Sequence, residues 1–164
     1  MKNLNIVKDF GALVLFALLL SCNNQTQPEE IVNNPPIFPK GQKGPEKFFT
    51  GNAYNYRLVP IDSTYTTLVG NVYFEPGARS NWHTHPAGQI LIITDGVGYH
   101  QIEGGSIQIM KKGDVITCPP NVRHWHGASP DRELQQLYIV PNSEKGIVNW
   151  MEPVTDEQYK NFQS

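Results

Sequence analysis

The chain has 164 residues and a formal net charge of −2, the size of one domain plus a tail. No basic run extends beyond Lys111-Lys112, which excludes a nucleic-acid groove and leaves no nucleic-acid partner to expect. Hydrophobic content of 39% supplies a packed core, and 14 Gly with 13 Pro suit a turn-rich β fold rather than a helical one.

Lys2 and Lys8 precede an apolar run from Phe10 to Leu20, with Asp9 as an unusual acidic residue before it. The run is about half of the ~20 residues a spanning helix needs, so it reads as the apolar region of a secretory leader. It ends in Leu19-Leu20-Ser21-Cys22, which resembles the bacterial lipobox. That resemblance implies a signal peptide over residues 1–21, lipidation of Cys22 and an exported lipoprotein. The expected partner at this end is therefore a membrane of the cell envelope, outer membrane or periplasmic face. A cleaved, soluble periplasmic protein is the alternative. Residues 22–44 are polar, Pro-rich and without periodicity, and read as a flexible tether with no secondary structure.

A folded domain is expected over residues 45–145. Its apolar stretches predict strands at Tyr54–Val59, Thr67–Phe74, Gln89–Thr94, Gly98–Ile102, Ile107–Met110, Val115–Cys118 and Leu134–Val140. Turn signals separate them, among them Glu75-Pro76-Gly77, Asp95-Gly96, Lys112-Gly113-Asp114 and Pro119-Pro120-Asn121. Gly104-Gly105 marks a hairpin. Such even spacing predicts an all-β sandwich or barrel. Cys118 reads as a small buried hydrophobe, not a nucleophile and not a partner for Cys22. Residues 146–164 form a C-terminal extension. Thr155-Asp156-Glu157-Gln158 is a capping-box pattern there, so a short closing helix is expected to pack outside the barrel, with Tyr159 and Phe162 on one face.

Four of the five histidines fall in two patches, Trp82-His83-Thr84-His85 and Arg123-His124-Trp125-His126. Side chains alternate along a strand, so His83 and His85 share one face, as do His124 and His126. Gln89 shares the parity of the first pair if the strand resumes in register after Pro86-Ala87-Gly88. The clustering points to a metal site. Trp82 and Trp125 have the opposite parity and are expected to pack behind it. His100 has no sequence partner and reads as surface or rim. Gly70, Val72, Ser80, Gln136 and Tyr138 are candidate walls of a substrate pocket.

The two patches resemble the paired motifs of the cupin superfamily. Gly77, His83, His85, Gln89 and Gly96 stand at the spacing of the first motif. Gly113, Pro119, Asn121, His124 and Ala128 stand at the spacing of the second. The resemblance implies a single cupin β-barrel, a double-stranded β-helix or jelly roll. It also implies a divalent transition metal held by His83, His85, Gln89 and His124, from among Mn, Fe, Ni, Co and Zn. Three positions depart from the pattern. Asn121 replaces a glycine but tolerates left-handed backbone. Ala128 replaces an asparagine. Gln89 replaces a glutamate, which changes the electrostatics: a carboxylate cancels part of a cation's charge and an amide cancels none, leaving a stronger Lewis acid. His126 then faces the interior beside the ion and is the candidate general base.

The runs from Phe74 to Gln89 and from Lys112 to Ala128 are similar to a narrower group of small bacterial cupins. That group includes manganese-dependent hydroxynitrile lyases, which use three histidines and a glutamine. The resemblance favours manganese and implies a metal-dependent lyase cleaving a C–C bond in a small oxygenated molecule, hydroxynitrile-lyase-like or decarboxylase-like. His126 would be its base. Members commonly carry a histidine where this chain has Gln136, which cannot take up a proton at neutral pH. The alternatives are a dioxygenase or isomerase using a redox metal, and a non-catalytic lipoprotein that holds a metal and a ligand. A homodimer paired through its sheets is a further implication of the resemblance.

Overall fold

A computed structural model describes residues 36–161. The leader, Cys22, most of the tether and Phe162 lie outside the described residues. Twelve strands follow in order: β1 (Gln42–Lys43), β2 (Phe49–Thr50), β3 (Ala53–Val59), β4 (Leu68–Phe74), β5 (Arg79–Ser80), β6 (His83–Thr84), β7 (Gln89–Ile102), β8 (Gln108–Lys111), β9 (Val115–Cys118), β10 (His124–Ala128), β11 (Leu134–Val140) and β12 (Asn149–Trp150). The helix α1 (Asp156–Lys160) closes the chain's described part. Every strand pair is antiparallel, in the order β1-β3-β4-β11-β7-β10-β5-β2. Off that path, β8 and β9 pair with β7, and β6 pairs with β10 and β12. The sheet curls into the expected all-β barrel.

Alternation decides which side chains enter. On β4, Leu68, Val72 and Phe74 point inward, opposite Val140, Gln136 and Leu134 of β11. Together with Leu91, Ile93, Met110 and Ile116 the deeper of these build the main core. A second cluster, Trp82, Trp125, Val154 and Tyr159, packs on the outer side of β10. The two tryptophans thus sit behind the histidines, as their parity predicts. The helix starts at the expected capping box, with Gln158 N–H bonded to Thr155 Oγ1. It is pinned by Tyr159, whose hydroxyl donates to Ala128 O at 2.7 Å, and by Arg79, which bonds Asp156 at 2.6 Å.

Three expectations are corrected. Asp95-Gly96 is not a turn between two strands: β7 runs unbroken for 14 residues. Its first half pairs with β11 and β9, its second with β10 and β8. Gly96, at φ 79, and a bulge at Gln135/Gln136 bend it from one side of the barrel to the other. Gln42–Lys43, read as tether, form β1 against β3. Within the C-terminal extension, Asn149–Trp150 form β12 beside the first histidine.

Gly127 is where β10 and β5 approach most closely. A Cβ there would lie 2.5 Å from Ala78 O and 2.6 Å from Arg79 Cα, both backbone atoms. Gly127→Ala is expected to destabilise the barrel by about 1–3 kcal/mol through overpacking, read as a lower urea midpoint with metal chelated. An unchanged midpoint would contradict this packing.

Candidate metal centre

His83 lies on β6 directly opposite His124, the first residue of β10. His85 follows β6, and the turn Pro86-Ala87-Gly88 brings the chain back as Gln89, the first residue of β7. Gly88, at φ 82, closes that turn by donating its N–H to His85 O. All four side chains are buried. The three imidazoles offer ligand atoms within 4.8 Å of one another.

Hydrogen bonding fixes which atoms face inward. Nδ1 of His83 bonds Asn81 O at 2.8 Å, Nδ1 of His124 bonds Val122 O at 2.9 Å, and Nδ1 of His85 bonds Ile147 O at 2.5 Å. A carbonyl oxygen only accepts, so each Nδ1 carries the proton and each Nε2 presents a bare lone pair. Burial holds the rings neutral: it depresses His83 well below the usual imidazole range, lowers His85, and brings His124 down to about 4.

These residues fit a divalent metal. His85 Nε2 is buried with no hydrogen-bond partner among the described residues, a defect that costs about 1–3 kcal/mol if left unmet. Gln89 Oε1 lies 3.2 Å from His124 Nε2. Two lone pairs facing each other at that distance call for a cation between them. An amide turned over, its NH2 donating to Nε2, is the other arrangement.

His126 also points inward. Its backbone N–H donates to Ser80 Oγ at 3.2 Å, its ring meets Phe74 edge-on, and its ring lies 5.2 Å from that of His83. Gln136 Nε2 lies 2.8 Å from His126 Nδ1. Desolvation, reinforced by His83 and His124, lowers its pKa well below the ordinary value.

A cavity of about 150 Å³ opens above this group. Its floor is His83, His85, Gln89 and His126, and its walls include Phe49, Leu68, Val72, Tyr138, Val140, Ile147, Val148 and Trp150. Of the candidate pocket residues, Val72 and Tyr138 are among the walls. Gly70 is not: it lies beneath the Tyr138 ring, where any side chain would collide. Ser80 and Gln136 are not walls either; both are buried behind His126 and bond to it. Inward parity with Val72 and Tyr138 marks Leu68 and Val140. No sequence signal marks Ile147, Val148 or Trp150, which arrive from the C-terminal extension.

His100 is not at the surface. The β7–β10 register sets it opposite His126, so it faces inward, buried, with its ring 5.7 Å from that of His124. Its Nε2 is 3.3 Å from Cys118 Sγ. Burial drops His100 to about 4 and pushes the Cys118 thiol up to about 12, which keeps that cysteine an unreactive core residue as predicted.

Comparison with known proteins accords with this fold. The cupin domain model matches residues 70–140. A protein named (R)-mandelonitrile lyase from Granulicella tundricola is 44% identical over 118 residues, covering 72% of this chain and 90% of the relative. The crystal structure of a cupin-like protein from Thermotoga maritima superposes with a TM-score of 0.74 at 48% identity, covering 77% of this chain and 96% of that one. The crystal structure of the DMSP lyase DddQ from Ruegeria pomeroyi shares the fold, with a TM-score of 0.54 at 20% identity over 66% of this chain and 54% of that one.

His83→Ala removes one of three converging lone pairs. The variant is expected to lose most of its bound divalent metal, by elemental analysis after dialysis against a chelator-free buffer. Full occupancy in that variant would refute the ligand assignment.

Proposed function

The chain belongs to the cupin family, and from that premise we propose that it is a metal-dependent lyase cleaving a C–C bond in a small cyanohydrin-like molecule. The observation that carries this reading is the pairing of three bare imidazole nitrogens with a fourth, non-ligating histidine on the floor of one apolar cavity. The ligands would be His83, His85, His124 and Gln89. When bound, the metal supplies Lewis acidity that stabilises negative charge on the substrate oxygen.

The chain's own residues do the remainder. Leu68, Val72, Val140 and Trp150 hold the hydrocarbon part of the substrate and exclude water. His126 takes the hydroxyl proton at Nε2. For that, Nδ1 must carry a proton and donate it to Gln136 Oε1, so the Gln136 amide presents its oxygen during turnover. The O–H electron pair becomes part of the carbonyl, the C–C bond electrons leave with cyanide, and cyanide takes the proton from Nε2. Atoms and charge balance in that sequence. Gln136, where similar cupins carry histidine, orients His126 but cannot itself relay the proton, which favours a slow enzyme and gives the binding-only reading its one supporting observation.

We propose manganese as the ion, on the likeness to the manganese-dependent group. Cys22 is proposed as a lipid anchor to the cell envelope, and a homodimer is proposed through the sheet. Support for the dimer is the apolar outward row of Ile90, Ile92, Leu137 and Ile139, where a solvent-facing sheet would be polar.

Manganese-loaded protein is expected to release aldehyde and cyanide from (R)-mandelonitrile. His126→Ala is expected to keep its metal while losing about 10²–10⁴-fold in turnover. A cyanohydrin left unchanged by fully loaded protein would leave binding as the function, and a His126→Ala variant with undiminished turnover would remove the base.

A further inference from the structure

Two of the three metal-site imidazoles are oriented locally. His83 and His124 each donate Nδ1–H to the carbonyl of the residue two positions before them, Asn81 and Val122. His85 differs. It lies past the end of β6, and its Nδ1 partner is Ile147 O, 62 residues further on. The carbonyl that fixes its tautomer and ring plane therefore belongs to the C-terminal segment, not to the β6–β7 connection that carries it.

That segment is held along its length: Asn81 Nδ2 donates to Met151 O at 3.0 Å, Asn149 Nδ2 to Thr84 Oγ1 at 3.4 Å, and Arg123 pairs with Glu152. Gly146, at φ 105, starts it beside Pro86 of the His85–Gln89 turn. The short β12 sets Trp150 opposite His83. Met151 N–H donates to Trp82 O at 2.9 Å, and Trp82 N–H donates to Glu152 O at 3.1 Å. The Trp150 ring lies between Phe48, stacked at 4.6 Å, and His83 at 5.0 Å. Ile147, Val148 and Trp150 form one wall of the cavity.

We propose that residues 146–152 are a strap that positions His85, so that docking of the strap and binding of the metal are coupled. With the strap docked, His85 Nε2 is bare and aimed at the other two nitrogens. With it released, His85 Nδ1 loses its acceptor, the ring is free to turn or change tautomer, and the cavity loses a wall. Coupling is reciprocal: the factor by which a docked strap tightens metal binding is the factor by which metal favours docking. Partners that orient a metal-bound histidine contribute about 10–100-fold in affinity, which sets the size of the effect on both sides. The inference rests on the metal-site reading above and gives the strap a role in it as a set of positioning residues.

The test is hydrogen exchange on the full chain, metal-free and after addition of Mn²⁺ or Zn²⁺, with metal affinity measured by chelator competition. The Met151 amide is expected to exchange about 10–100-fold more slowly with metal, while amides between β3 and β4 change little. Trp150→Ala is expected to weaken Zn²⁺ binding about tenfold or more with all four ligands in place. Should that variant fail to fold by far-UV circular dichroism, the exchange result on the unaltered chain decides. Metal bound with no added protection at Met151 would overturn the coupling and leave the site intact. An unaltered chain that binds neither ion would overturn the metal reading itself.

Discussion

Three hydrogen bonds from imidazole Nδ1 to backbone carbonyl carry the rest of the structure's meaning. Each one assigns a proton, and each assignment leaves a lone pair on the opposite nitrogen. Burial then removes the option of charging the rings. What remains is a pocket of converging acceptors with one side-chain amide, that of Gln89, among them and His85 Nε2 left unpartnered, and a neutral core tolerates that badly unless a cation is supplied. The same bonds explain why the residues around the ligands matter: Asn81, Val122 and Ile147 reach the imidazoles only through their carbonyls, yet they set the geometry of the centre.

The barrel brings these groups together from distant places. His83 and His124 are 41 positions apart in number and directly opposite in register. That register depends on β7, a single strand that serves both sides of the barrel because Gly96 lets it bend. Gly127 lets β5 approach β10, and the packing of Trp82, Trp125 and Tyr159 supports β10 from outside. The core beneath is apolar and the floor above it is imidazole, so the curled sheet places polar chemistry at one end of its hydrophobic interior.

Much of this was legible in the sequence. Period-2 parity at His83/His85 and His124/His126 depends only on local strand geometry, and it held. So did the capping box at Thr155 and the left-handed turn at Asn121, φ 60, because both are written in a few adjacent residues. What failed depended on neighbours that sequence does not name. Asp95-Gly96 has the composition of a turn, but a glycine at positive φ also bends a strand, and only pairing on both halves of β7 distinguishes the two. His100 reads as isolated until register sets it opposite His126. Ser80 and Gln136 have inward parity like true walls, yet they reach His126 rather than the cavity. Ile147 acts through its backbone, and no side-chain pattern reveals a carbonyl.

The chemistry that follows is a division of labour. In the proposed reaction neutral ligands would leave a cation's charge largely uncompensated, His126 would move the proton with Gln136 orienting its ring, and an apolar wall partly built by the C-terminal segment would confine a small substrate. The central claim is the convergence of three imidazole nitrogens and one amide oxygen on one ion. X-ray absorption at the metal edge of the loaded, full-length protein tests it directly. The account expects the scattering of three imidazole rings, with metal–nitrogen distances of about 2.0–2.1 Å for zinc, and the remaining donors oxygen. A shell of oxygen atoms with fewer than three imidazoles would contradict it.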